Sequence, residues 1–496
     1  MSRLALLARW SLELLLPICV FISSLYVFFD AKAKFDSDEG NKVGTTRYFE
    51  TFFIDRDFSD EAWADSHWTR TQPMVFRYVI GSWLWWRGHD LQSLNPNYEV
   101  TKSYQANKRL GQVPPDEVLE DARAVTKTMA ALAVTVLYLI VRVLAGPAGG
   151  SVGGLVAAIM AMGSPYLEEN LIRAKAESIL MFFLLGALLF AILSLQRAAP
   201  NWPGAGWGIL TGIFLGLAFG TKLTAVLIII AVALWGAAAC LDDRFGPWVR
   251  WLPVWSPLSL ARGRVTGGGG SPPDTTSPVS RRGAPWVWPA AVLITTAVVF
   301  VGSNPYTWPN PVQRTWILFE YRRFEMSEQQ RFVPSRAIYD LRERASTVWE
   351  RSVWNDAFAP SRLNQPVEAV LTVIGAVWLA ILAVRSARNG VGPGSVELLV
   401  FLWLGLLWAG VSAGLGFLLQ HYFVPTAMTA ILLSGLVIGW SIQAVWKLVQ
   451  PHLPALSAHL DEDTSGILAA AGPGGPERQR AAGERGGNAR VRRISG

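Results

Sequence analysis

Apolar residues gather in long uninterrupted runs along this chain, and the polar residues between them are bunched rather than interleaved. The first run, residues 10–29, is long enough to cross a hydrocarbon core of ~30 Å as a helix. Ala31-Lys32-Ala33 has the small-x-small form of a signal-peptidase site, but the run before it exceeds the ~7–15 residues of a signal core. With Arg3 and Arg9 ahead of it, it is expected to be an uncleaved anchor whose N-terminus is cytosolic. A second span is predicted over 126–144. Shorter Gly- and Ala-rich segments follow over 151–162 and 179–195, where small side chains allow close helix packing. The run 207–241 is too long for one helix and is interrupted by Gly220-Thr221-Lys222. The pattern predicts a tight hairpin with Lys222 at its turn, a single kinked helix being the alternative. Further spans are predicted over 287–301, 367–384, 396–411 and 423–445.

The polar stretches fall into distinct kinds. Residues 30–125 are polar yet rich in aromatics, and too long for an idle connection. Within them, 76–86 reads as a helix lying in the interface, with Arg77 and Arg87 reaching water. Residues 242–285 carry Arg244, Arg250, Arg262, Arg264, Arg281 and Arg282 around a glycine run, which reads as a flexible loop on the cytosolic side. Residues 304–366 form a second long extracytoplasmic loop, mixed in charge and helical in parts, and 448–496 read as a disordered cytosolic tail. The expected fold class is an all-α integral membrane protein of about ten transmembrane helices, with two long extracytoplasmic loops carrying interfacial helices. One membrane domain, 1–447, sits in the cell (cytoplasmic) membrane with both termini cytosolic.

Composition agrees with this reading. A chain that is 51% hydrophobic and only 16% charged does not suit an aqueous globule. The net charge of +7 lies largely in arginines of short connections, which marks topology and gives no sign of a nucleic-acid partner. Cys19 and Cys240 lie in or at the end of apolar runs, so neither a disulfide framework nor a cysteine metal site is supported.

Candidate chemistry begins where the first span ends. Phe35-Asp36-Ser37-Asp38-Glu39-Gly40 puts three carboxylates just outside the bilayer, where they are costly to bury and available for proton transfer. A solvated acidic collar would look the same, and Asp36-Ser37-Asp38 is also literally D-x-D, a pattern that holds metal and nucleotide sugar in cytosolic domains. Arg173 and Glu177 are spaced as an i,i+4 surface pair, with Lys175 on another face. Lys222 either snorkels or serves an anion. His421, entering the last span, is a capping histidine or a phosphate-side donor. His67 and His89 lack metal-like partners at tight spacing. Acidic and basic groups thus converge on one predicted face, as an anionic substrate would require.

These residues resemble the GT-C glycosyltransferases, the group that includes protein O-mannosyltransferases and the aminoarabinose transferase of lipid A. Asp38-Glu39 is similar to the Asp-Glu motif of their first extracytoplasmic loop, and Gln72-Pro73 to a Pro-containing motif further along it. Arg173 to Glu177, the Gly216 to Lys222 segment, Asn304-Pro305-Tyr306 and His421-Tyr422-Phe423-Val424-Pro425 resemble later family motifs in the same order. Two positions depart: Gln72 stands where His is common, and His421 where related sequences often carry Arg.

The resemblance implies a hexosyl or pentosyl transferase that moves a sugar, usually with inversion, from a polyprenyl-phosphate donor to a hydroxyl of a glycan, lipid or protein acceptor outside the cytosol. Asp38 would be the base and Glu39 would orient the acceptor or a nearby cation. Lys222, Arg173 and His421 would bind the donor phosphate, with Asp36, Glu177, Pro73, Tyr306 and Tyr422 in support. No cofactor is required, because cations can neutralise the leaving phosphate; a divalent metal is the alternative. A transporter or flippase for a lipid-linked or anionic substrate is the competing function, although no repeated halves are evident.

Overall fold

The structure, a computed structural model, describes residues 3–59, 61–64, 66–197, 203–249, 286–354, 364–388 and 395–450. Among the described residues no strand forms, and a single bridge pairs Ala337 with Phe417. Helix α1 (Arg3–Asp30) leads to a first loop holding α2 (Ser37–Gly44), α3 (His67–Thr71), α4 (Val75–Trp86) and α5 (Tyr104–Arg109). Then come α6 (Asp116–Ala145), α7 (Gly149–Met162), α8 (Pro165–Leu171), α9 (Glu177–Arg197), α10 (Pro203–Thr221), α11 (Val226–Val249) and α12 (Val287–Gly302). The second loop contributes α13 (Pro311–Phe332) and α14 (Leu341–Trp349), and α15 (Asn364–Arg388), α16 (Val396–Gly414) and α17 (Val424–Val449) complete the bundle.

Among the described residues seven helices are long and apolar enough to cross a bilayer, or eight if α7 and α8, bent by 70°, make one span. The apolar parts of α10 and α12, Gly206–Thr221 and Val287–Gly302, are shorter, so the expected count of about ten turns on whether both also cross. By contact the chain divides into Met1–Ala444 and Val445–Gly496, the second described only to residue 450, of which 445–449 are the end of α17. Most of the expected basic loop and tail lies outside the described residues; its first part, up to Val249, is the end of α11.

Small residues set the helix spacing, because where lipid replaces water, packing rather than the hydrophobic effect joins helices. A Cβ on Gly149 would lie 1.8 Å from the Gly439 oxygen, and one on Gly153 2.4 Å from the Gly435 oxygen, so α7 and α17 touch backbone to backbone. The spans at α17 and α9 are the most enclosed, with 89% and 83% of their apolar windows buried, against 17% for α1 at the periphery. The run around Lys222 does break into two helices, but they do not close on each other as a tight hairpin. Helix α10 packs on α9 and α12, and α11 on α16.

The first loop corrects one expectation. Arg77 of α4 is 1% exposed instead of reaching water. Its Nη2 donates to the Trp68 carbonyl at 2.7 Å, and its guanidinium lies 5.3 Å from the ring centroids of both Tyr48 and Phe76. The sequence period could not show this, because Tyr48 and Trp68 cover the helix face from elsewhere in the loop. Arg87, half-exposed, joins His89 in pairing with Asp121 at the start of α6. The second loop is clamped to the α16–α17 connection: Gln330 Nε2 donates to the Gly416 oxygen at 2.6 Å, and Ile338 N donates to the same oxygen at 3.0 Å.

Candidate active site: a charged centre at the mouth of an apolar cavity

The acidic cluster folds as it does because Asp36 caps α2. Its Oδ1 accepts from Asp38 N at 2.9 Å while Glu39 Oε2 accepts from Asp36 N at 3.0 Å, a capping box that also places negative charge at the positive end of the helix. The three carboxylates then point three ways. Glu39 turns inward and is 0% exposed. It accepts from Arg123 Nε and Nη2 at 2.8 and 2.7 Å and from Ala174 N at 2.8 Å. Asp36 faces Lys175 Nζ at 2.8 Å and Arg173 Nη1 at 3.2 Å. Asp38 is the open one, 42% exposed, with Lys175 Nζ at 3.6 Å.

Residues 172–176 are not helical, which removes the i,i+4 relation expected of Arg173 and Glu177. Arg173 reaches back to Glu169 at 2.5 Å and across to Asp36, while Glu177 Oε1 takes Lys222 Nζ at 3.0 Å. Lys175, read from sequence as charge on another face, is buried at 4% exposure and bridges Asp36 and Asp38. Burial by itself would lower the pKa of this ammonium, but Asp38, Asp36 and Glu177 around it raise it above its ordinary value. Burial likewise works to raise Asp36, and is outweighed by Lys175, the Asp38 backbone N–H and Arg173, which hold its carboxyl below the usual range. Both groups are therefore ionised at neutral pH.

The last element arrives from the second loop. Arg322 of α13 pairs with Glu325 and donates to the Tyr422 hydroxyl, while Lys222 Nζ lies 5.3 Å from the Tyr422 ring centroid. Arg322 was not a sequence candidate, because nothing local in a mixed-charge helix distinguishes it from its neighbours. His421, 9% exposed, lies where the charges of Lys222, Asp38, Lys175 and Arg322 all act on it. The structure thus gathers Asp36, Asp38, Arg173, Lys175, Glu177, Lys222, His421 and Tyr422. Glu39 lies behind this group, with no exposed face. Pro73 is a buried residue between α3 and α4. Tyr306 is 1% exposed, its ring centroid 5.0 Å from the Arg314 guanidinium.

From this centre a cavity of about 700 Å³ runs between α11, α13 and the end of α16. Lys222, Arg322 and Tyr422 line it together with Leu223, Leu227, Phe319, Val411 and Leu415, a few polar groups set among apolar walls. Two further polar atoms on its wall, Gln72 Oε1 and Thr224 Oγ1, are buried without a hydrogen-bond partner. Among the described residues no group of three His, Cys, Asp or Glu side chains is arranged to hold a metal ion.

An all-helical, multi-pass membrane protein with a charged centre at the mouth of an apolar cavity is the class this fold and site define. Residues 117–250 match the model of the dolichyl-phosphate-mannose-protein mannosyltransferase family, a stretch that contains Arg123, Arg173, Lys175, Glu177 and Lys222. The matched stretch covers 134 of the 496 residues. Among solved structures the chain is similar to ArnT from Cupriavidus metallidurans bound to undecaprenyl phosphate, at 15% identity and a TM-score of 0.45, covering 86% of this chain and 60% of that one. It is also similar to the archaeal oligosaccharyltransferase AglB from Archaeoglobus fulgidus in complex with an inhibitory peptide and a dolichol-phosphate, at 10% identity and a TM-score of 0.45, covering 89% and 52%. The chain therefore spans less than two thirds of the length of either. No curated protein matches it by sequence.

Proposed function

We propose that the protein transfers a sugar from a polyprenyl-phosphate donor to a hydroxyl acceptor at the extracytoplasmic face of the cell membrane. The observation that carries this reading is the joining of Lys222, Arg322 and Tyr422 to the apolar cavity, which suits a ligand with an anionic head and a hydrocarbon tail. The names of the similar structures, one bound to undecaprenyl phosphate and one to a dolichol-phosphate, point to the same ligand chemistry.

In this reading Asp38, the exposed carboxylate, takes the proton of the acceptor hydroxyl as its oxygen bonds to the anomeric carbon. The bond from that carbon to the phosphate oxygen breaks, the configuration inverts, and polyprenyl phosphate leaves. Lys222 and Arg322 face the phosphate and stabilise its developing charge. Arg173 and Lys175 act on the carboxylates, fixing Asp36 and with it the start of α2. Glu39 holds that start from behind through Arg123 and Ala174. His421 donates at the phosphate side.

The test is transfer in proteoliposomes. The purified chain is supplied with a panel of polyprenyl-phosphate sugars and envelope acceptors, and products are read by mass spectrometry. Label should pass to the acceptor with wild type and not with Asp38→Asn. Wild-type turnover by that variant would sink the assignment of the base. Orientation is checked in inside-out vesicles, where protease should cut near Arg281 and spare Arg336; the reverse pattern would overturn the placement of the loops.

A further inference from the structure

Among the described residues the cations gathered at Asp36, Asp38, Glu177 and Tyr422 are held by partners, and Lys42 beside them stands apart. Lys222 has Glu177, Arg322 has Glu325, Lys175 has Asp36 and Asp38, and Arg173 has Asp36 and Glu169. Arg77 is sealed at 1% exposure against the Trp68 carbonyl and two rings. Lys42 differs from all of these. It lies one helical turn after Asp38, so the two side chains share a face of α2. Among the described residues it has no ion-pair partner and no side-chain hydrogen bond, and its ammonium rests 5.5 Å from the ring centroid of Phe76. It is half-buried, and it is not part of the cavity that Lys222 and Arg322 line.

We propose that Lys42 is the receptor for an acidic group, a carboxylate or a phosphate, on the incoming acceptor, and so selects anionic over neutral acceptors. The inference rests on the transferase reading and deepens it. A cation one turn from the base and outside the donor cavity is placed to hold the acceptor's charge while Asp38 meets its hydroxyl. The charges that act on Lys42 are Asp38 on its own helix, Arg77 on α4, and Glu325 and Arg322 on α13. Burial pushes its ammonium down to about 8, against the favourable pull of Asp38. A bound anion would reverse that shift, which is the electrostatic gain on offer to an acidic acceptor. Affinity for acidic groups should accordingly fall as pH rises through about 8, where the free lysine loses its proton.

The experiment uses the full chain in nanodiscs. Acetylation of Lys42 at neutral pH is followed by mass spectrometry in the presence of glucuronate, glucose 6-phosphate or glucose, and undecaprenyl-phosphate binding is measured in parallel on wild type and Lys42→Met. Glucuronate and glucose 6-phosphate should slow acetylation several-fold and glucose should not, while Lys42→Met should bind undecaprenyl phosphate within about twofold of wild type. Protection by undecaprenyl phosphate itself, or about tenfold weaker lipid binding in Lys42→Met, would assign Lys42 to the donor and overturn the proposal. Equal protection by glucose, or none from any of the sugars, would overturn it as well. If wild type fails to bind undecaprenyl phosphate, it is the transferase reading that fails, and the sugar arm still decides whether Lys42 takes an anion.

Discussion

On the inner side of α2, Glu39 accepts four hydrogen bonds, from Asp36 N, Ala174 N and two nitrogens of Arg123, and no part of it is exposed. On the outer side, one residue earlier, Asp38 is 42% exposed and its nearest cation is 3.6 Å away. The two carboxylates are identical in charge and adjacent in sequence. What separates them is spare capacity: Glu39 has none, and Asp38 retains lone pairs that can accept a proton. The same distinction runs through the cations, where Arg123 is spent on Glu39 and Glu120 while Lys222 faces the cavity.

If the contrast is right, breaking its two halves must give different failures. Asp38→Asn should cost the full contribution of a general base, about 10²- to 10⁴-fold in transfer rate, with a thermal melt close to wild type. Glu39→Ala should do the opposite. Arg123 would be left buried with only the exposed Glu120 beside it, at a cost of up to about 3–5 kcal/mol, seen as a lower melting temperature and poorer yield, with turnover per folded molecule largely kept. A Glu39→Ala protein that melts like wild type but transfers no sugar would erase the distinction. Lys222→Met should weaken binding of the polyprenyl phosphate by about 1.5–3 kcal/mol, roughly ten- to a hundred-fold, the usual value of a hydrogen bond to a charged group.

The smallest effect sharpens the comparison through pH. The Asp36 carboxyl is held below its ordinary value, so its stabilisation is present above the unfolded pKa of ~3.9 and is lost only as pH falls through the lowered one. Lys175 is raised, so its contribution is complete below ~10.4 and is lost only as pH climbs through the raised value. Thermal melts should therefore show no contribution from this pair between about pH 5 and 9. A slope there that Lys175→Met removes would contradict the ion-pair description.

Much of the bundle was legible because a run of about 18 or more apolar residues has few other solutions than a span. The acidic cluster and Lys222 stood out for a related reason, being charges beside such runs. What escaped was long-range. Arg322 meets Tyr422 a hundred positions away, through a loop clamp that no local period encodes. Arg173 and Glu177 looked like a helical pair because their spacing allows it, and the break at 172–176 that separates them has no Pro or Gly to announce it. Arg77 belongs to an amphipathic-looking stretch, and the Tyr48 and Phe76 rings together with the Trp68 carbonyl take it out of water.

That break has a consequence for how the protein tolerates change. Arg173, Lys175 and Glu177 turn to the charged centre, while Ala174 and Ala176, at 0% and 1% exposure, turn to the core. The alternation acts like a reading frame in the folded chain. Exchanging one letter alters only that residue's own contacts, whereas inserting or deleting a single residue between Leu171 and Glu177 would present alanines to the carboxylates and thrust cations into the apolar interior. The length of this stretch is thus under tighter constraint than its composition, and variation among relatives should appear there as substitutions and not as gaps.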